Sequence, residues 1–164
     1  MPETPAPKVR LPRSRRRAIL AAVIGLGLLG LYWETRPTAF DGQALSVSEA
    51  HAQAADGRVL LVDIRRPDEW ARTGIGEDAT PLDMRRDDFE AALAELTGGD
   101  RTRPVALICA GGVRSARMAQ RLADAGYENV IDVPEGMEGS AAGPGWIGAG
   151  LPLRTPGAAE GATE

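Results

Sequence analysis

The stretch that decides the fold runs from residue 105 to residue 125 and reads VALICAGGVRSARMAQRLADA. Its first four residues are apolar, as in a strand that is buried on both faces of a parallel sheet. The glycine pair at 111–112 breaks this pattern, and the residues from about Ser115 to Ala125 are predicted to form a helix that ends at Gly126. A buried strand, a glycine-containing loop and a helix are together typical of one unit of an α/β domain.

Predicted strands and helices alternate along the rest of the chain. The predicted strands lie at residues 59–64, 79–82 and 130–133, and the predicted helices at residues 46–56, 67–70 and 87–96. The first of these helices opens with a capping box formed by Ser46 and Glu49. This alternation predicts an α/β domain with a mainly parallel sheet. The glycine-rich residues 135–150 are predicted to be mostly loop, with Trp146 packed on the core rather than covering the site.

Cys109 follows the predicted strand directly, at the edge where ligands bind in open α/β sheets. The small residues at 110–112 allow the backbone N–H groups to curl into an anion-binding nest. The helix N-terminus and Arg114 add positive charge, which favours the nucleophilic thiolate of Cys109. The same surroundings would stabilise a persulfide or an oxyanion. The alternative interpretation is a small buried residue that ends a strand and is inert.

The charge is distributed unevenly along the 164 residues of the chain. Residues 1–17 hold six basic side chains and one acidic one, a net charge of +5, so the chain total of −4 leaves −9 for the remainder. An acidic folded part argues against a nucleic-acid partner. The chain has one Cys and one His, so we predict no metal site, no cofactor and no intrachain disulfide. The single histidine, His51, is interpreted as a solvated or capping residue.

Residues 18–33 read AILAAVIGLGLLGLYW and contain no charged residue. As a helix they would span ~24 Å, which is at the short end for a hydrocarbon core about 30 Å thick. The positive-inside rule would keep residues 1–17 in the cytoplasm as a basic tail. We therefore predict a transmembrane anchor with the domain on the periplasmic side, and the alternative is a cleaved signal that releases a secreted domain. Residues 34–43 are predicted to be a linker, and residues 155–164 a disordered tail.

Several motifs carry a resemblance to a known family. They are Leu60–Arg65 followed by Pro67–Trp70, the segment Cys109-x-x-Gly112-x-Arg114-Ser115, and the closing segments Ala125–Val130, Glu135–Met137 and Gly150–Leu153. In these residues the chain resembles a rhodanese-like domain. The resemblance covers about residues 45–154, and we take residues 44–154 as the domain.

The resemblance implies a sulfurtransferase with a mainly parallel sheet of about five strands flanked by helices. Cys109 would be catalytic and would cycle through a persulfide. The loop that would bind the substrate consists of Ala110, Gly111, Gly112, Val113, Arg114 and Ser115. Arg114 would hold a small sulfur-containing anion, and the acceptor would be a thiol or a protein. Asp63 and Arg65 would be supporting groups near the loop, with a surface ion pair as the alternative.

The chain departs from the family pattern at two places. Gly74–Ala79 has no His and no Pro where the family has Gly-His-Ile-Pro-Gly-Ala. Ala110 and Gly111 stand where thiosulfate-using members often have basic residues, which argues against thiosulfate as the physiological donor. Arg114 gives the spacing Cys-x4-Arg in this chain. Cysteine phosphatases have the spacing Cys-x5-Arg, so a phosphatase is disfavoured. The remaining alternative is a non-turnover sulfur carrier or a protein-binding module of the same fold.

Overall fold

A computed structural model of the chain describes residues 40–157. Its elements, in chain order, are β1 (Gln43–Ala44), α1 (Val47–Ala55), β2 (Leu60–Asp63), α2 (Pro67–Thr73), β3 (Ile75–Gly76), β4 (Thr80–Pro81), α3 (Phe89–Thr97), β5 (Val105–Ile108), α4 (Val113–Asp124), β6 (Val130–Asp132), α5 (Gly145–Gly148) and β7 (Leu153–Arg154). The predicted basic tail and anchor segment, with most of the linker and of the C-terminal tail, lie outside the described residues.

The main sheet has five strands in the order β1-β6-β5-β2-β4, and every neighbouring pair is parallel. The predicted mainly parallel, five-stranded sheet is therefore confirmed. β5 occupies the central position, and all four of its residues are completely buried. A central strand of this kind is apolar at every position because helices cover both of its faces. A separate antiparallel pair joins β3 to β7.

The sheet separates two apolar layers. One layer packs α3 and α4 against the sheet through residues such as Phe89, Leu93, Met118 and Leu122. The other layer contains α1, α5 and the buried side chain of Trp146. Packing of Trp146 in the core confirms the prediction for this residue, since its side chain is fully buried.

Local signals explain how α1 begins and how it is attached to the domain. Its capping box forms as predicted, because Ser46 N–H donates to Glu49 at 2.9 Å and Glu49 N–H donates to Ser46 Oγ at 3.3 Å. The buried carboxylate of Glu135 accepts from Val47 N–H at 3.1 Å and from Gly145 N–H at 3.4 Å. Glu135 therefore connects the first turn of α1 to Gly145, the first residue of α5.

Some boundaries differ from the sequence predictions. Gln43 was predicted to lie in the linker but begins strand β1. A strand of two residues leaves little signal in the sequence, and β1 forms because it pairs in parallel with β6. The stretch 135–150, predicted to be mostly loop, contains the short helix α5. The helix predicted from about Ser115 starts two residues earlier, because Gly112 in a left-handed conformation serves as its N-cap. None of the helices within residues 40–157 has the length and apolar character that a membrane crossing requires.

Candidate active site

Cys109 lies immediately after β5, at the carboxyl edge of the central strand of the sheet. Only 1% of the residue is exposed to solvent. The thiol donates a hydrogen bond to Ser115 Oγ at 3.6 Å, and the Ser115 hydroxyl donates in turn to the Gly112 carbonyl at 2.9 Å. The sulfur therefore has a polar partner at the start of α4, although most of its surroundings are apolar.

The loop after Cys109 leads into the N-terminus of α4. The first hydrogen bond of this helix runs from Ala116 N–H to the Gly112 carbonyl at 3.1 Å. Among the described residues, no backbone carbonyl accepts from the N–H groups of residues 110–115. Free N–H groups at a helix start carry partial positive charge and bind anions. The predicted loop residues Ala110, Gly111, Gly112, Val113, Arg114 and Ser115 are thus brought together beside Cys109 in an arrangement suited to an anion.

This loop is fixed in place by the segment that follows β6. Met137 N–H donates to the Cys109 carbonyl at 2.8 Å, and Glu138 N–H donates to the Ala110 carbonyl at 2.9 Å. Gly112 has φ +81°, and a Cβ at this position would lie 2.1 Å from the carbonyl oxygen of Pro134. Only glycine fits there, because L-residues avoid this conformation and the backbone leaves no room for a side chain.

Arg114 is held by a carboxylate from α2. Its Nη1 and Nη2 atoms donate to Glu69 at 2.8 and 2.6 Å, and Glu69 is 4% exposed. The hydrogen bond from Arg114 lowers the pKa of Glu69 to about 2, despite a rise from burial. The same bond raises the pKa of Arg114, and the charge and hydrogen bonding of Cys109 act in the same direction. The charge of Arg114 is therefore balanced by Glu69.

Asp63 and Arg65 form a buried pair rather than the surface ion pair considered as the alternative. Arg65 Nε donates to both carboxylate oxygens of Asp63 at 3.0 Å, Arg65 Nη2 to Asp63 Oδ2 at 2.7 Å, and both side chains are completely buried. Arg65 also donates to Thr73 Oγ1 and to the Gly74 carbonyl, each at 2.7 Å. The pair therefore holds the C-terminal end of α2 in place. Because α2 carries Glu69, the partner of Arg114, the pair supports the loop indirectly.

Glu69 belongs to this site but is absent from the residues selected by sequence analysis. Its sequence context gives one signal, a carboxylate three residues after Arg66 at a helix start. That pattern indicates a helix cap, and the backbone N–H and Nε of Arg66 do donate to Glu69 at 3.2 and 3.1 Å. Contact with Arg114 spans 45 positions of the sequence and follows only from the fold.

His51 does not belong to the site around Cys109. It is partly buried, with its ring edge-on to Trp146 at 5.3 Å and Nδ1 at 3.3 Å from Asp78. The prediction of a solvated or capping residue holds only in part, because the side chain is 26% exposed while Trp146 packs beside the imidazole. Within residues 40–157, no group of three or more His, Cys, Asp or Glu side chains is arranged to hold a metal ion.

Comparisons with known proteins agree with this geometry. A family model described as "Rhodanese-like domain" matches residues 46–142. The chain is 30% identical over 113 residues to the tRNA uridine(34) hydroxylase of Chlamydia abortus, and the match covers 65% of this chain and 34% of that protein. The chain thus spans about a third of the length of this curated relative.

Two solved structures extend the comparison. The polysulfide-sulfur transferase homodimer from Wolinella succinogenes aligns with a TM-score of 0.56 and 25% identity, over 72% of this chain and 82% of that chain. The thiosulfate sulfurtransferase from Pseudomonas aeruginosa aligns with a TM-score of 0.53 and 25% identity, over 68% of this chain and 20% of that chain. By their names, both of these proteins are sulfur transferases.

Proposed function

The chain belongs to the rhodanese-like domain family, and we propose that it is a sulfurtransferase that carries sulfane sulfur as a persulfide on Cys109. The observation that carries this proposal is the position of the thiol at the carboxyl end of β5, beside the unpaired N–H groups at the start of α4. A persulfide is an anion at its outer sulfur, and such an anion is stabilised by backbone N–H groups and a helix N-terminus. The two solved sulfurtransferases of similar fold support the same chemistry.

The reaction would proceed in two displacements. The Cys109 thiolate attacks the sulfane sulfur of the donor, so that a new S–S bond forms and the donor fragment leaves with the bonding electron pair. A nucleophilic acceptor then attacks the outer sulfur of the persulfide, and Cys109 leaves as a thiolate. No metal, cofactor or external redox agent takes part, because sulfur is transferred without net oxidation of the protein.

The charges around the loop favour a persulfide donor over thiosulfate. Ala110 and Gly111 provide no cation, and the positive charge of Arg114 is balanced by the bidentate contact with Glu69. A dianion such as thiosulfate would need additional positive charge to offset its desolvation. An ionised persulfide group carries a single negative charge where thiosulfate carries two, and it fits the free N–H groups of residues 110–115.

A steady-state assay with cyanide as the acceptor tests this function. The full chain would be given glutathione persulfide or thiosulfate as the donor, with Cys109→Ser as the inactive control. We expect turnover with both donors to require Cys109, and kcat/KM to be higher for the persulfide. Equal activity of Cys109→Ser would refute catalysis through this residue, and a clear preference for thiosulfate would refute the donor assignment.

A sulfur carrier that discharges only to a protein partner is the second candidate. The observation that favours it is the 1% exposure of Cys109, because a buried sulfur is poorly accessible to small acceptors in free solution. A carrier would accept one sulfur per chain from the donor and then show no turnover with cyanide. Multiple turnovers with cyanide would eliminate this candidate.

We also propose that residues 18–33 anchor the protein in a membrane, with the domain on the periplasmic side. The support is the uncharged stretch AILAAVIGLGLLGLYW directly after a basic segment. The protein would then remain with membranes after alkaline carbonate washing and would retain its N-terminal residues by mass. Recovery of a soluble chain that starts after residue 33 would instead establish a cleaved signal and a secreted domain.

A further inference from the structure

The first helical residue after the Cys109 loop presents an apolar side chain to solvent. Val113 begins α4 and is 43% exposed, whereas Cys109, four residues earlier, is 1% exposed. A single exposed apolar residue is ordinary on a protein surface and by itself indicates nothing. The position of Val113 matters, because an acceptor that takes sulfur from Cys109 has to approach the loop that ends at this residue.

Arg117 lies one turn farther along the same face of α4, since residues four apart on a helix are neighbours. Its side chain is exposed and makes no hydrogen bond or ion pair with another described residue. Every other described arginine has at least one such partner. Arg114, three residues before it, is paired with Glu69 of α2. Arg121, four residues after it, is paired with Glu90 of α3. Arg117 therefore carries an uncompensated positive charge among the described residues.

The spacing of Val113 and Arg117 matches that of an extended peptide. Four residues of a helix rise ~6 Å, and two residues of an extended strand rise ~6.6 Å. A peptide along α4 can therefore place an apolar side chain against Val113 and, two residues farther on, an acidic side chain against Arg117. The acidic side chain would supply a counter-charge to Arg117, and the apolar contact would remove Val113 from water.

We propose that Val113 and Arg117 form a docking surface for an acidic segment of the protein that accepts sulfur from Cys109. This segment has an apolar residue beside its accepting cysteine and a carboxylate two residues farther on. The inference rests on the proposed function and gives the class of its acceptor. The acceptor thiol releases its proton to solvent, and its thiolate attacks the outer sulfur of the Cys109 persulfide. A new S–S bond forms on the acceptor, and Cys109 leaves as a thiolate with the bonding electron pair.

Disulfide exchange on Cys109 in the full chain tests this surface without requiring sulfur transfer. The probes are the peptides Cys-Leu-Gly-Glu and Cys-Leu-Gly-Lys, with blocked termini and with the cysteine activated as a 2-pyridyl disulfide. The Cys109 thiolate attacks the peptide sulfur, a mixed disulfide forms, and pyridine-2-thiolate leaves with the electron pair and is measured by its absorbance. Because the chain has one cysteine, this release reports Cys109 alone.

The expected result is a preference for the acidic peptide that depends on Arg117. At low ionic strength the glutamate peptide should react about fivefold faster than the lysine peptide, as expected when one exposed attraction replaces one repulsion. The preference should fall toward one in about 1 M salt, which screens exposed charges. Arg117→Glu should reverse the preference.

Arg103→Glu is the matched control variant. Arg103 is also exposed, but it precedes β5 whereas Cys109 follows it, so the two lie at opposite edges of the sheet. We expect Arg103→Glu to keep the preference of the native sequence. Thermal melting of each variant confirms that the native fold is retained.

Three results would overturn the proposal. They are equal rates for the two peptides with the native sequence, a preference that Arg117→Glu leaves unchanged, and exchange with uncharged dipyridyl disulfide but with neither peptide. The peptide Cys-Gly-Gly-Glu should react more slowly than Cys-Leu-Gly-Glu, because it offers no apolar contact to Val113. Equal rates for these two peptides would refute the part assigned to Val113.

Failure of the proposed function would be visible separately, in the mass of the chain after exposure to glutathione persulfide. If no sulfur loads while the exchange preference follows Arg117, the docking surface stands and sulfur transfer fails. If sulfur loads and cyanide removes it but the peptides show no preference, the function stands and the docking surface is refuted.

Discussion

Substitution of Glu69 by glutamine tests how the site holds the guanidinium group of Arg114. Glu69 accepts from Arg114 at 2.8 and 2.6 Å and from Arg66 at 3.1 and 3.2 Å, and its side chain is 6% exposed. Glutamine keeps the shape of the side chain but removes its charge and one of its two acceptor oxygens. Arg114 would then be left partly buried without a counter-charge.

The magnitude follows from the pKa of Glu69. Arg114 and the other contacts lower it from 4.5 to about 2, and each unit corresponds to ~1.4 kcal/mol, so the carboxylate contributes at most about 3.5 kcal/mol. Since the Arg114 side chain is 30% exposed, solvent screening reduces this to about 2 kcal/mol. Because the folded pKa lies below the unfolded one, this stabilisation is present above about pH 4.5 and is lost as the pH falls toward 2.

The assay is urea unfolding of the native sequence and Glu69→Gln at several pH values from neutral to acid. We expect Glu69→Gln to be about 2 kcal/mol less stable at neutral pH, with the difference closing below pH ~4.5 as the native carboxylate is protonated. Glu90→Gln is the control, because Glu90 forms an exposed pair with Arg121 that contributes within about 0.5 kcal/mol. A difference for Glu69→Gln that is the same at neutral and acid pH would refute the reasoning.

Two further predictions concern the supports of the site. Gly112→Ala should destabilise the domain by about 2–5 kcal/mol, because alanine would have to adopt a left-handed conformation and its Cβ would clash with the backbone of Pro134. Gly111→Ala should change stability by less than about 1 kcal/mol, because its Cβ would lie 3.5 Å from the nearest atom. Similar unfolding midpoints for the two variants would contradict this account. Arg65→Met should lower the free energy of unfolding by about 3–5 kcal/mol, because it leaves Asp63 buried and unpaired. The double variant Arg65→Met with Asp63→Leu should recover part of that loss in denaturant unfolding. No recovery in the double variant would argue against the buried pair.

Local patterns in the sequence predicted the features of the fold that depend on neighbouring residues. The apolar run at 105–108 is buried in the structure because it occupies the centre of the sheet. The capping box of Ser46 and Glu49 begins α1 as predicted. Cys109 and the loop after it lie at the sheet edge where strand-loop-helix order places them, since this order fixes which end of a parallel strand a loop follows.

Features that depend on distant contacts escaped prediction. Strand β1 has only two residues, both exposed, and exists because β6 offers it a hydrogen-bonding edge. The contacts of Glu69 with Arg114 and of Glu135 with Val47 join residues 45 and 88 positions apart. Burial of the Asp63–Arg65 pair depends on the layers that enclose it, and sequence adjacency alone is equally consistent with an exposed pair.

The most direct test of the central claim is intact mass spectrometry of the full chain after exposure to glutathione persulfide and then to cyanide. The account predicts a gain of one sulfur atom per chain, which cyanide removes and which Cys109→Ser does not show. Retention of the added sulfur in Cys109→Ser, or no gain with any persulfide or thiosulfate donor, would contradict sulfur transfer through Cys109.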